Sequence, residues 1–109
     1  MISSMAASNP RYQGKPLLRL LECYVLWAID QLSEEDADAL ERMTPKLQSI
    51  YGAQGDWQHV LAAAVELPPN MPELIRGLWV KNSEIARKNS VRLTPQRFAE
   101  MFVDENLVK

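Results

Sequence analysis

The chain has 109 residues, of which 47% are hydrophobic and 24% are charged, a composition that predicts one folded domain and excludes a disordered chain. The net charge of −2 and the isoelectric point of about 5.4 do not favour binding of nucleic acid through overall positive charge. The single cysteine, Cys23, cannot form an intramolecular disulfide and suits a reducing compartment. Because the first residues do not resemble a secretory signal, the sequence predicts a cytoplasmic protein.

The beginning of the chain predicts an arm followed by an apolar helix. Residues 1–14 are rich in small and polar residues and predict a flexible N-terminal arm, so that residues 15–109 form a single helical domain. The first predicted helix, residues 16–32, has no polar side chain between Cys23 and Ile29. A helix on the protein surface needs a polar face. We therefore expect this helix either to be central in the fold or to be covered by another chain.

Three charged residues argue against a membrane-spanning role for this apolar helix. Arg19, Glu22 and Asp30 interrupt it, whereas a bilayer core requires about 20 consecutive apolar residues. The segment is therefore not expected to cross a membrane. Arg19 and Glu22 lie in the first half of the helix, and we expect them to mark an end that reaches solvent.

The second predicted helix begins after Ser33, whose side chain can cap it. Its apolar residues follow helical spacing and form one stripe, namely Ala37, Leu40, Met43, Leu47 and Ile50. Pro45 interrupts this stripe. Because proline lacks an N–H group and disfavours helical geometry in the residue before it, we expect a kink or a new helix start capped by Thr44.

Three further helices complete the predicted fold. Asp56, Asn70 and Thr94 can cap the third, fourth and fifth helices, and Gly77 in the fourth suggests the close approach of a neighbouring helix. The residues predicted to face the core in the last two helices are Met71, Leu74, Ile75, Leu78 and Ile85, and then Phe98, Met101 and Phe102. The sequence thus predicts an all-α fold, a compact bundle of about five helices around the central helix 16–32.

No catalytic or metal-binding constellation is visible in the sequence. His59 is the only histidine, which argues against the common zinc sites and a Ser/His/Asp triad; it could act alone as a base or a binding donor, or be an ordinary surface residue. Cys23 lies in an apolar run that is typical of a structural thiol. The acidic cluster at residues 34–38 lacks the spacing of a calcium loop, and helix capping explains its position. We therefore expect no enzymatic activity, no metal and no cofactor.

Three tryptophans in a small chain are candidates for a binding surface. Trp27, Trp57 and Trp79 fall on different predicted helices, where each could pack in the core, line a pocket or anchor an interface. We expect Trp79, at the edge of its apolar stripe, to be partly exposed. The candidate interface consists of Tyr24, Trp27, Arg76, Trp79 and Lys81. The predicted function is a non-catalytic protein–protein interaction module that associates with itself as a homo-oligomer or with another protein.

The charge distribution supports an alternative function. Residues 22–56 carry eight acidic and two basic side chains, whereas residues 73–97 carry two acidic and six basic ones. These stretches could form opposite faces of a dipolar molecule, or neutralise each other within the fold. Residues 83–102 loosely resemble a helix-turn-helix, although the break and the apolar spacing differ. In this alternative, a DNA-binding regulator uses the basic residues of the 76–97 stretch, namely Arg87, Lys88, Arg92 and Arg97.

Overall fold

The structure is a computed structural model that describes residues 16–107. This part of the chain forms five α-helices and a terminal π-helical turn. In chain order they are α1 (Pro16–Ala28), α2 (Glu34–Tyr51), α3 (Trp57–Ala64), α4 (Met71–Lys88), α5 (Pro95–Phe102) and the turn Val103–Leu107. These described residues contain no strand, which confirms the prediction of a small all-α bundle. The predicted arm, residues 1–14, lies outside them.

Helix α1 is the centre of the fold. Every residue from Leu20 to Leu26 is buried, and Cys23 and Val25 have no exposed surface. The helix packs against α3, α4, α5 and the π-helical turn, so that neighbours cover most of its circumference. This arrangement explains why α1 needs no polar face, and it confirms the prediction of a central apolar helix.

The first four helices end in the same way, with a turn through one left-handed residue. At the end of α1 the Gln31 N–H donates to the Leu26 carbonyl at 2.8 Å, and the Asp30 N–H donates to the Trp27 carbonyl at 3.1 Å, which together form a Schellman motif. This motif ends the helix at Ala28, earlier than the predicted residue 32. The left-handed residues, with φ between 55° and 65°, are Asp30, Gly52, Glu66 and Ser90.

Replacing Glu66 with glycine is expected to stabilise the protein. Glu66 has a φ of 55°, a conformation that costs a residue with a Cβ roughly 1–2 kcal/mol but costs glycine little. After allowance for the greater entropy of glycine in the unfolded chain, we expect the free energy of unfolding to rise by about 0.5–1 kcal/mol in urea titrations. Glu66→Ala removes the same charge and keeps the Cβ, so this control should give no gain. Equal gains in both variants would contradict the backbone explanation.

Helix α2 continues through Pro45, so the predicted alternative of a new helix start at Thr44 is wrong. Leu40 and Leu47, on either side of the proline along the helix, are both buried in the hydrophobic core. Pro45 itself is exposed, so that solvent can reach the backbone where proline provides no N–H donor. Thr44 caps nothing here, because its hydroxyl donates to the Leu40 carbonyl at 3.0 Å.

Two of the four predicted helix caps are formed, whereas Asp56 and Asn70 make no side-chain capping hydrogen bond. The Ser33 hydroxyl accepts a hydrogen bond from the Asp36 N–H, and the Thr94 hydroxyl accepts one from the Arg97 N–H, each at 3.1 Å. In α5, Phe98 and Phe102 are buried as predicted, but Met101 is 38% exposed. The prediction for Met101 is wrong because α5 contacts α1 through the side that carries the two phenylalanines.

Arg19 and Glu22 lie in a polar network rather than at a solvent-exposed end. Glu22 has no exposed surface, and its Oε1 accepts a hydrogen bond from Gln96 Nε2 at 2.9 Å. Arg19 Nη2 lies 3.0 Å from Asp36 Oδ2, and Arg19 Nη1 lies 4.0 Å from Glu22 Oε1. The network joins α1 to the start of α2 and to α5. The prediction failed because partners from distant helices compensate these charges inside the protein.

Candidate interaction surface

Of the two long helices in this bundle, α2 and α4, helix α4 is the less covered by its neighbours. Of its 18 residues, Ile75 is the one that is fully buried, and the helix packs mainly against α1. Trp79 provides a second attachment, because its ring centroid lies 5.2 Å from that of Phe98 on α5. Trp79 is half-buried. Much of the apolar surface of α4 therefore has no neighbour within the described chain.

The predicted core face of α4 is wrong for three of its five residues. Leu74 is 48%, Leu78 is 40% and Ile85 is 48% exposed. At 3.6 residues per turn these three positions lie along one side of the helix, displaced from the side that carries Ile75. We call them the α4 stripe. They are exposed because α1 covers only the Ile75 side.

Two residues lie next to the α4 stripe, both on the same side of it. Lys81 is exposed and lies beside the stripe, three residues after Leu78 and four before Ile85. Gly77 is also exposed, and a Cβ at this position would meet no atom within 4 Å. The close helix approach expected at Gly77 is therefore not made within the described part of the chain.

A second surface of α4 forms one wall of a cleft with the end of α1. This tryptophan cleft, of about 490 Å³, is lined by Trp27, Ala28, Ile29, Asp30, Arg76, Trp79 and Val80. The structure thus brings together Trp27, Arg76 and Trp79, three of the five residues predicted as an interface. The Arg76 guanidinium lies 3.6 Å from the Glu73 carboxylate, and both side chains are more than half exposed, so this pair adds little stability.

Tyr24 is not available as a contact residue. It is 3% exposed, and its ring centroid lies 5.5 Å from that of Trp27. Trp27 is 37% exposed and also meets the buried Trp57, with 6.3 Å between the centroids. Tyr24 and Trp57 therefore hold Trp27 in place from within. The prediction that Tyr24 belongs to the interface is wrong, because its position in the central helix α1 buries it.

The four basic residues of the DNA-binding alternative lie on the surface. Arg87 and Lys88 end α4, Arg92 lies in the connector and Arg97 lies in the first turn of α5, and all four are exposed. The Arg97 guanidinium is 3.4 Å from a Glu100 oxygen. Their exposure is compatible with phosphate contacts and equally with an ordinary solvated surface. The alternative stays a prediction.

The two residues considered for catalysis, His59 and Cys23, differ in their exposure to solvent. His59 is exposed on α3, so that no enclosed pocket surrounds it. Cys23 has no exposed surface, and burial raises the pKa of its thiol from 9.0 to about 11, although nearby Arg19 partly opposes this effect. A neutral, enclosed thiol is a poor nucleophile. Among the described residues, no cluster of three or more His, Cys, Asp or Glu side chains could hold a metal ion.

The raised pKa of Cys23 predicts a loss of stability at high pH. Between pH 9 and about 11 the unfolded chain releases this proton while the folded chain retains it, so the free energy of unfolding falls as pH rises through this window. The effect should reach roughly 2–3 kcal/mol. Tyr24 acts in the same direction, because burial and the charge of Glu73 raise its pKa above 10.0.

Urea unfolding at several pH values between 8 and 11 measures this loss. The control variant Cys23→Ala lacks the thiol and should show a shallower decline, with only the Tyr24 contribution remaining. The explanation fails if the two proteins lose stability equally over this window.

Comparisons with known proteins return no relative of this chain. It matches no protein-family model, no curated protein and no solved structure. Within residues 16–107, none of the helices combines the length and apolar character needed to cross a bilayer.

Proposed function

We propose that the protein is a small, non-catalytic interaction module that associates with itself through the α4 stripe. The observation that supports this proposal most strongly is the exposure of Leu74, Leu78 and Ile85, each at least 40% exposed along one side of a single helix. Single apolar residues on a surface are common, but three large ones along one side of a helix favour a contact site. A cytoplasmic location forms part of the proposal, because Cys23 is a free thiol.

The α4 stripe is a better candidate than the tryptophan cleft. Two of the cleft's large residues are already engaged within the molecule, since Trp79 packs on Phe98 and Trp27 packs on Tyr24 and Trp57. The stripe residues are more exposed than Trp27. Covering them would remove three large aliphatic side chains from water, which is the principal source of affinity in such contacts.

The test is the mass of the protein in solution, measured by light scattering over a range of concentrations. The wild-type protein should be a dimer or a larger species at micromolar concentrations, and Leu78→Asp should be a folded monomer because it places a charge in the contact. Val80→Asp is the matched control, since Val80 is 57% exposed but lines the tryptophan cleft. Dissociation by Val80→Asp alone would move the interface to the cleft. A strictly monomeric wild-type protein would refute self-association.

The DNA-binding alternative has a different signature. A protein that contacts phosphates through Arg87 and Lys88 should bind a heparin column, elute earlier as salt rises, and lose retention when both residues become glutamine. Passage through the column at low salt would remove this alternative.

A further inference from the structure

Helix α2 carries a surface that matches the α4 stripe in spacing. Both helices have 18 residues. On α4 the stripe residues are separated by four and then seven positions, and on α2 the same separations relate Ala39, Met43 and Ile50. Met43 is 36% and Ile50 is 60% exposed. We call these three residues the α2 row.

The two helices also carry opposite charges. Helix α2 contains five acidic and two basic side chains, and the acidic ones occupy its first half. Helix α4 contains two acidic and four basic side chains, and two of the basic ones, Arg87 and Lys88, lie in its last turn. An antiparallel pairing therefore places the basic end of α4 against the acidic start of α2. It also opposes the two helix dipoles favourably.

The same antiparallel pairing brings the ends of the two apolar rows together. When Ala39 lies opposite Ile85, Ile50 lies opposite Leu74, because both rows span the same length. Met43 then lies opposite Lys81, about 4.5 Å along the helix axis from Leu78. Glu35, one turn before Ala39, then lies close to Lys88. A pairing of α4 with a second α4 would instead bring together two helices that each carry a surplus of positive charge.

We propose that the α4 stripe of one copy docks in antiparallel orientation on the α2 row of a second copy. This inference rests on the proposed self-association and names the opposing surface. In a two-fold dimer the contact occurs twice, because each copy contributes one α2 and one α4. Helices α2 and α4 do not pack along each other within the described part of one chain, so both surfaces are free to do so between chains.

The first test compares two substitutions on α2. Ile50→Asp should raise the dissociation constant of the dimer at least about tenfold in sedimentation equilibrium, as expected for removing a large apolar side chain from a contact. Ser49→Asp adds the same charge at an exposed position about 100° around α2 from Ile50 and should leave the constant within about threefold. Circular dichroism confirms that both variants are folded.

The second test reverses charges on each helix separately. Glu35→Lys and Lys88→Glu should each weaken self-association at least about tenfold, because each brings like charges together. An equimolar mixture of the two variants should associate again, since each mixed contact restores a pair of opposite charges. Pairing through α4 alone does not predict this recovery.

The outcomes separate this inference from the proposed function. If Leu78→Asp dissociates the protein while Ile50→Asp and Glu35→Lys do not, self-association through α4 stands and the α2 contact is refuted. If the mixed variants fail to recover, the antiparallel α2–α4 pairing is likewise refuted. If the wild-type protein is monomeric at all concentrations, both the proposed function and this inference fail.

Discussion

Replacing Arg19 with methionine is expected to lower the free energy of unfolding by about 3 kcal/mol or more. The guanidinium lies 3.0 Å from Asp36 and 4.0 Å from Glu22, and Glu22 has no exposed surface. Methionine fills a similar volume but leaves the charge of Glu22 inside the protein without this cation. Removing one member of a buried charged pair is far more costly than removing both. Urea unfolding monitored by circular dichroism measures the loss.

Two further variants test the explanation for Arg19. Arg97→Met removes an arginine that is 63% exposed and lies 3.4 Å from Glu100, so it should cost less than about 1 kcal/mol. The double variant Arg19→Met/Glu22→Met should be more stable than Arg19→Met alone, because it also removes the buried carboxylate that has lost the nearby cation. If Arg19→Met lowers the free energy of unfolding no more than Arg97→Met does, the polar network contributes little to stability.

Replacing Ile75 with alanine is expected to cost about 3 kcal/mol, within the range of roughly 2–5 kcal/mol seen for such truncations in protein cores. Ile75 has no exposed surface and is the fully buried residue that attaches α4 to the rest of the bundle. Loss of its side chain should weaken the attachment of the whole helix. Thermal unfolding at low protein concentration, where self-association does not contribute, measures this loss.

Leu78→Ala is the matched comparison for Ile75, since Leu78 lies three residues further along the same helix. Its side chain is 40% exposed, so the monomer should lose less than about 1 kcal/mol. At high concentration the same variant should lose more, because self-association stabilises the folded wild-type protein. A large loss at low concentration would show that Leu78 is packed within the monomer and would contradict the assignment of the α4 stripe.

Much of the fold could be predicted from local sequence. The uninterrupted apolar run from Cys23 to Ile29 predicted the buried central helix, and Ser33 and Thr94 predicted caps that form as expected. These predictions succeeded because a helix cap or a missing polar face depends on neighbouring residues in the chain.

The failed predictions depend on residues that are distant in sequence. Glu22 is buried because Gln96, 74 residues later, donates a hydrogen bond to it. Pro45 is accommodated because other helices bury the leucines on both sides of it. Neither effect can be seen in a local pattern, since the compensating contact exists only after the helices have packed.

Prediction of the α4 stripe was limited in the same way, because its exposure depends on distant parts of the chain. Helical spacing identified Leu74, Leu78 and Ile85 as one apolar side of α4, but it did not show how many neighbours α4 would have. The sequence did contain a signal, because Trp79 and Val80 widen the apolar part of this helix beyond what one neighbour can cover. That surplus left one side of α4 exposed once α1 and α5 had covered the other.

The central position of α1 also affects how the chain folds during synthesis. It is the first helix of the described residues, yet its neighbours extend to the turn that begins at Val103. At about 5–20 residues per second, the 75 residues from position 29 through Val103 take roughly 4–15 s to translate. During this time the apolar surface of α1 is incompletely covered and is open to chaperones or to other nascent chains. The time between synthesis of α1 and synthesis of its last neighbours therefore determines how long each new chain is prone to aggregate.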